Sequence, residues 1–159
     1  MLYLDSSALI KHYVQEAGTD ALNLKLQLDA QAPQENFASV VGCAEILAIL
    51  ARRFRENLLR QSEFDQLQEE FHRDWSLNLN HIEVSDGVLA FIPGLVKRHP
   101  LRGSDAIHLA SALSLRDALR PAKTSGAINR RIEFATSDKQ LKNAALLEGL
   151  EVFDPENPQ

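Results

Sequence analysis

Short apolar segments alternate with amphipathic segments along this chain of 159 residues, and the alternation constrains the fold more than any other feature. Short apolar runs of this kind are typical of buried strands, and the stretches between them have helical spacing. Strands separated by helices predict a central, mostly parallel sheet covered on both faces, which is a three-layer α/β/α sandwich. The predicted strands are residues 2–5, 36–40, 81–84, 132–136 and 150–153.

Helical periodicity is clearest in the middle of the chain. Phe64, Leu67, Phe71 and Trp75 share one helical face, which predicts either core packing or a surface for a partner. A proline–glycine pair must kink or end the helix predicted over 86–97. The other predicted helices are residues 6–15, 19–31, 44–55, 61–77, 104–119 and 138–147.

Length and composition predict one globular domain. Apolar residues make up 45% of the chain and charged residues 25%, an ordinary balance for a globular protein. We expect the domain to span residues 1–154, with a short frayed tail at 155–159. No apolar stretch is long enough to cross a membrane and no signal peptide is readable, so a cytoplasmic location is expected.

The net charge and the cysteine content exclude several functions. A formal net charge of -5 argues against broad nucleic-acid binding through a basic surface, although a local basic rim is compatible with it. The single cysteine, Cys43, excludes an intrachain disulfide and a cysteine-based zinc site. Its apolar neighbours predict a buried small side chain, not a nucleophile.

Four acidic residues lie within or beside apolar segments: Asp5, Glu45, Asp105 and Asp138. A carboxylate near an apolar core is costly unless something neutralises it, and these segments contain no matching set of buried cations. A hard divalent cation prefers carboxylate oxygens and water. The acids therefore predict a Mg²⁺ or Mn²⁺ site, whose natural substrate is a phosphate ester.

The predicted elements place the four acids in similar positions. Asp5 and Asp138 follow strands where helices begin, Asp105 lies in the first turn of a helix, and Glu45 lies near the start of another. In open α/β sheets the functional crevice lies outside the carboxyl ends of the strands. We therefore expect the four carboxylates to approach one another at that edge.

Each acid also has a purely structural interpretation. Asp105 and Asp138 suit helix caps, because a carboxylate at a helix start accepts backbone N–H groups. Asp5 suits a turn at the end of a strand. Glu45 lies on an apolar stripe, where an ion pair with Arg52, two turns later, would account for it.

Four segments together resemble the PIN-domain ribonucleases, and most closely the VapC-type toxins of prokaryotic toxin–antitoxin pairs. They are YLDSSALIK at 3–11, the pair AE at 44–45 opening a hydrophobic helix, DAIHLASAL at 105–113 and FATSDKQL at 134–141. The resemblance extends over nearly the whole chain. It implies an α/β/α sandwich, Mg²⁺ or Mn²⁺ at the acidic cluster and endonucleolytic cleavage of RNA. The basic segment 120–131 is longer than the family pattern.

The resemblance also implies roles for individual residues. Asp5, Glu45 and Asp105 would be the core metal ligands, Asp138 would complete the cluster, and the Ser6 hydroxyl would support the metal shell. It further implies a homodimer and a complex with a smaller antitoxin protein, whose Arg or Lys would suit the acidic cleft.

Phosphates of an RNA substrate also need cations. The candidates are Lys11, Arg52 and Arg102, each of which is equally compatible with a solvated helix face. His108, one turn after Asp105, suits a satisfied core histidine better than a site residue.

Two other classes of function are compatible with the acids. One is a phosphoacceptor signalling domain, which phosphate transfer from a small phosphodonor would reveal. The other is a catalytically silent binding module whose acids act only as caps, which would show no carboxylate-dependent Mn²⁺ binding.

Overall fold

A computed structural model describes residues 1–29, 35–119 and 131–158, and these residues form a five-stranded parallel sheet covered by helices on both faces. The predicted three-layer sandwich is confirmed. Each strand is one or two residues shorter than its prediction, and β1 and β2 end where the capping residues Asp5 and Ser39 begin a helix. The strands are β1 (Leu2–Leu4), β2 (Asn36–Ser39), β3 (Asn80–Ile82), β4 (Glu133–Ala135) and β5 (Glu151–Phe153).

The sheet order is β3-β2-β1-β4-β5, which places β1 in the middle. Leu2 of β1 pairs with Asn36 of β2 on one side and with Glu133 of β4 on the other. From β1 the chain first builds the sheet towards β3 and then crosses over to β4. Such a reversal opens a crevice at the carboxyl ends of the two strands, where open α/β sheets bind their ligands.

One face of the sheet is covered by α1 to α4. Leu2 and Leu4 point to this face and pack in a core with Leu50 and Phe71. The predicted stripe of α4 lies in this core, since Phe71 is fully buried and the other members pack around the same cluster. The stripe is therefore core and does not offer a partner surface. The helices are α1 (Ser6–Tyr13), α2 (Thr19–Asp29), α3 (Val40–Arg55) and α4 (Gln61–Leu77).

The opposite face is covered by α5 to α8. Tyr3 points to this side from β1, and its ring stacks on Phe134 with centroids 5.2 Å apart. Leu109 and Leu141 complete the same core from two of the helices. These helices are α5 (Asp86–Leu89), α6 (Ile92–Arg98), α7 (Gly103–Ala118) and α8 (Lys139–Leu147).

The helix predicted over 86–97 is two helices, and the break differs from the predicted one. It lies at Ala90 and Phe91, before Pro93, which occupies the first turn of α6. Proline is tolerated there because the first N–H groups of a helix have no intrahelical acceptor. The end of the helix predicted to reach residue 31, and nearly all of the basic segment 120–131, lie outside the described residues.

The C-terminal segment is docked, although we expected it to fray. Pro155 is buried, and its backbone passes so close to Gly18 that a Cβ there would lie 2.7 Å from the Pro155 carbonyl oxygen. Gly18 also has a φ of +89°, which favours glycine. Lys142 of α8 donates to Asp154 at 2.8 Å. The segment 154–158 is thereby fixed over the turn between α1 and α2.

Two smaller expectations can be compared with the structure. Cys43 on α3 is partly buried against the core of α1 to α4, and burial raises the pKa of its thiol. No helix in the part of the chain that the structure describes has both the length and the apolar character to cross a membrane.

Candidate active site

Asp5 lies at the end of β1, caps α1 and is almost fully buried. Its Oδ1 accepts the backbone N–H of Ala8 at 2.8 Å, and its Oδ2 accepts the Thr136 hydroxyl at 2.8 Å. The Ser7 hydroxyl lies 2.9 Å from both oxygens. Burial raises the pKa of Asp5, although the charge of His108 and these hydrogen bonds act to lower it. The fold therefore holds a carboxylate where its charged form is disfavoured.

Glu45 projects from the second turn of α3, and Ser6, His108 and Ser104 hydrogen-bond its carboxylate. The Ser6 hydroxyl donates to its Oε2, and His108 Nε2 lies 2.8 Å from the same oxygen. Burial acts to raise the pKa of Glu45, but the hydrogen bonds and charge of His108, with the bond from Ser6, bring it down to about 2. Arg52 forms no ion pair in the described part of the chain, so the Arg52 pairing suggested as a structural role for Glu45 is wrong.

His108 is both a buried core residue and a contact of the site. Its ring is 2% exposed. Nδ1 lies 3.0 Å from the Tyr3 hydroxyl, whose pKa is raised by burial, while Nε2 faces Glu45. The two nitrogens of the ring therefore link the Tyr3 hydroxyl to the Glu45 carboxylate. The sequence favoured the core role for His108 over a contact with the site and suggested no role for Tyr3, because their pairing spans more than a hundred residues.

Asp105 and Asp138 both cap helices, as their structural interpretation predicts. Asp105 Oδ2 accepts the backbone N–H of Arg102 at 3.2 Å, and Asp138 Oδ1 accepts the N–H of Leu141 at 2.8 Å. Burial raises the pKa of Asp105, the Arg102 N–H lowers it, and the charges of Asp138 and Glu45 raise it. The net direction is upward. These carboxylates are thus close enough to repel one another across the edge of the sheet.

The acids lie at one edge of the sheet and interact electrostatically, but they do not form a complete set of metal ligands. Within residues 1–29, 35–119 and 131–158, no group of three or more His, Cys, Asp or Glu side chains is gathered closely enough to hold a metal ion. Asp5, Asp105 and Asp138 each direct an oxygen at a backbone N–H. A carboxylate has lone pairs beyond the one used in a cap. Carboxylate and hydroxyl oxygens with mutual repulsion are a donor set that fits a hard divalent cation.

The three predicted phosphate-binding cations have different surroundings. Lys11 is 3% exposed and pairs with Glu156 at 2.8 Å and Glu16 at 3.5 Å, so the solvated-face interpretation is wrong for this residue. Arg52 is exposed on α3 and lines a cavity together with Lys11. Arg102 is exposed at the start of α7, next to Asp105. The structure thus brings Lys11 and Arg52 together at one cavity, and Arg102 is not among the described residues that line it.

The parallel sheet order and the acids around the β1 and β4 ends define an α/β/α domain of the PIN type. Two curated relatives from Mycobacterium tuberculosis are similar in sequence: Ribonuclease VapC45 of strain CDC 1551 / Oshkosh and Ribonuclease VapC49 of strain ATCC 25618 / H37Rv. Each is 31% identical over 118 residues, which is 74% of this chain and 78% of the relative. The chain therefore belongs to the VapC ribonuclease family. No protein-family model matches the sequence.

Solved structures support the same fold. The chain aligns with VapBC2 from Rickettsia felis, solved bound to a promoter DNA fragment, with a TM-score of 0.63, 14% identity and coverage of 97% and 98%. FitAcB from Neisseria gonorrhoeae gives 0.59 at 16% identity, and a toxin–antitoxin complex from Klebsiella pneumoniae gives 0.58 at 18%. Each of these two alignments covers 98% of both chains. At these identities the likeness establishes the fold alone.

The low pKa of Glu45 predicts a pH-dependent contribution to stability. A carboxyl whose pKa falls on folding stabilises the protein above its unfolded pKa, and this contribution disappears as the pH falls towards the folded value. Glu45→Gln should therefore be less stable than wild type at pH 6, on the order of 1–2 kcal/mol. The difference should shrink as the pH falls from about 4.5 towards 2. Urea unfolding at several pH values measures it.

A control for this experiment is Glu69→Gln, which removes an exposed acid on α4. Its effect on the free energy of unfolding should be small at every pH. A constant deficit for Glu45→Gln between pH 6 and pH 3 would show that the cost comes from packing and not from the charge.

Proposed function

We propose that this protein is a metal-dependent endoribonuclease and the toxin of a toxin–antitoxin pair. The observation that carries the proposal is the placement of four carboxylates around the switch between β1 and β4, with Asp105 in the field of Asp138 and Glu45. The names of the two mycobacterial relatives support the reaction. Complexes among the structural neighbours support the biological role.

Asp5 and Asp105 are the residues that would hold Mg²⁺ or Mn²⁺, with Glu45 and Asp138 binding directly or through water. Once bound, the cation would polarise the scissile phosphate, lower the pKa of a bound water and stabilise charge on the leaving oxygen. The chain itself supplies orientation. Hydrogen bonds from Ser7 and Thr136 hold the Asp5 carboxylate in one orientation.

Glu45 is suited to orient the attacking water. Ser6 and His108 both contact one carboxylate oxygen, Oε2, and Ser104 also hydrogen-bonds the carboxylate, so three side chains fix its orientation. A pKa of about 2 keeps this carboxylate ionised and accepting at neutral pH. The Tyr3 hydroxyl holds the His108 ring in place through its contact with Nδ1.

The proposed assembly is a homodimer in the cytoplasm that binds a cognate antitoxin. An Arg or Lys of the antitoxin would pair with the clustered carboxylates and close the site. Leu146 and Leu147 at the end of α8 are 51% and 77% exposed, and burying these side chains would stabilise a dimer. Light scattering at micromolar concentration tests this, and a strict monomer would count against the dimer.

Metal removal is the direct test of the reaction. The purified protein should cleave a labelled single-stranded RNA internally with Mg²⁺ or Mn²⁺, should lose this activity in excess EDTA, and should recover when the metal is added back. Cleavage that persists in EDTA would contradict a metal-dependent mechanism. A stable phosphoprotein formed from a small phosphodonor would instead favour the phosphoacceptor class.

The caps favour one competing function, a catalytically silent module. Asp5, Asp105 and Asp138 each accept a backbone N–H, which is a sufficient structural reason for an acid at a helix start. Mn²⁺ titration followed by calorimetry separates the two possibilities. The nuclease proposal requires binding that Asp5→Asn weakens, whereas a silent module requires none.

A further inference from the structure

A cavity of about 320 Å³ lies beside the acids, between α1, α3 and the docked C-terminal segment. Asp138 and Ser137 form the wall nearest the acids, and Glu156 forms the wall contributed by the tail. The remaining charged lining residues are Lys11, Arg52, Arg53 and Glu16, so three cations lie beside the acids. Cations next to an acidic edge are the pairing of charges that a nucleic-acid backbone at a metal site requires.

The cations of this cavity are only partly neutralised. Lys11 pairs with Glu156 and Glu16, and Arg53 pairs with Glu16 as well. Arg52 has no ion pair in the described part of the chain. Glu16, Glu156 and Asp138 line the same cavity, and of its three cations Arg52 is the one left to pair with an added anion.

Two buried polar atoms of cavity residues have no hydrogen-bond partner within the described residues: Arg53 Nε and Ser137 Oγ. A buried donor without an acceptor destabilises the folded state, which favours binding of an acceptor here. A phosphate group presents several acceptor oxygens and suits a guanidinium, a hydroxyl and an ammonium together.

Glu156 already presents a carboxylate to this cavity. It sits 2.8 Å from Lys11 Nζ, yet its side chain is 42% exposed. The close passage of Pro155 over Gly18 and the Lys142–Asp154 pair hold the segment in place. An exposed carboxylate on a buried ammonium occupies the position that an anionic ligand would take.

We propose that this cavity is a subsite for a non-scissile backbone phosphate of the RNA, with Glu156 as a resident carboxylate that the phosphate displaces. This inference rests on the proposed ribonuclease function and assigns substrate positioning to Lys11, Arg52, Arg53 and Ser137. The C-terminal segment then tunes affinity for RNA by competing with it for Lys11.

The test uses Arg52→Gln, with Arg55→Gln as the matched control, since both remove an exposed arginine from α3 and only Arg52 lines the cavity. Binding of a fluorescent 2′-O-methyl oligoribonucleotide, which resists cleavage, is followed by anisotropy at several salt concentrations. Arg52→Gln should weaken binding about 3- to 10-fold and reduce the salt slope by about 0.7–1, whereas Arg55→Gln should change both little. On cleavable RNA, Arg52→Gln should raise KM and leave kcat unchanged.

A second variant tests the competing carboxylate. Glu156→Gln keeps the size of the side chain and removes its charge, so binding of the same oligonucleotide should tighten several-fold, while the Tm should fall because the buried Lys11 ammonium keeps only Glu16 as a partner among the described residues. Unchanged or weaker binding would overturn the role of Glu156. Equal effects of Arg52→Gln and Arg55→Gln, or no binding by the wild type, would overturn the subsite.

The outcomes separate this inference from the proposed function. If the variants bind RNA alike and cleave it normally with metal, the subsite is refuted and the ribonuclease function stands. If the variants show the expected differences in binding but the protein cleaves no RNA, the subsite stands and the ribonuclease function is refuted.

Discussion

Asp5→Asn is expected to lower kcat for RNA cleavage by at least about a thousand-fold, or about 4 kcal/mol of transition-state stabilisation. The substitution would remove an anionic ligand held at the end of the central strand. The fold should be no less stable than wild type, because burial raises the pKa of Asp5 and the ionised form therefore costs stability at neutral pH. Asparagine keeps an oxygen for the Ala8 N–H, so the α1 cap survives.

Asp105→Asn should behave in the same way, with activity lost and the Tm equal or higher. Its charge is repelled by Asp138 and Glu45, and neutralising it relieves that repulsion. The control is Asp20→Asn, which changes an exposed acid in the first turn of α2. Single-turnover cleavage with Mn²⁺ and a thermal scan give both readouts. Full activity in either site variant would refute the assignment of these acids.

The fold was largely predictable because the chain alternates apolar strands with amphipathic helices. The bounds of α4 match the predicted 61–77, since its apolar residues keep a 3.6-residue period and its ends have polar flanks. The break before Pro93 was missed, because proline equally suits the interior kink we assumed and the first helical turn it occupies. Docking of the tail was missed for a different reason. It depends on the fit of Pro155 to Gly18, and no local pattern encodes that contact.

The candidate site was predictable in its acids but not in their partners. Asp5 and Asp138 follow strands and Asp105 opens a helix, so their position at one edge follows from topology. The pairing of Glu45 with His108 joins two helices that are distant in sequence. Lys11 likewise meets Glu156 from the far end of the chain. Pairs of this kind are fixed by packing in three dimensions, which the spacing of residues in the sequence does not reveal.

Asp138→Asn should lower activity less than Asp5→Asn, by roughly one or two powers of ten, or about 1.4–2.7 kcal/mol. Asp138 is half-exposed at the start of α8, and its Oδ1 is already used by the Leu141 N–H. A residue that binds metal through water can be replaced by an amide, which still accepts from the backbone and contacts the water. Asp5 is buried, and an amide at its position cannot replace the negative charge that Asp5 would bring to the metal.

Separating the charge of Asp138 from its cap requires two further variants at the same position. Asp138→Ser keeps a capping oxygen without a charge, whereas Asp138→Ala removes both and should cost about 1 kcal/mol of stability. If the charge matters, Asp138→Ser and Asp138→Asn should have similar kcat values and near wild-type Tm, and Asp138→Ala should add a loss of Tm. All variants are assayed on one RNA across a series of Mn²⁺ concentrations. Full rescue of Asp5→Asn by excess Mn²⁺, without rescue of Asp138→Asn, would reverse the ranking and make Asp138 the primary ligand.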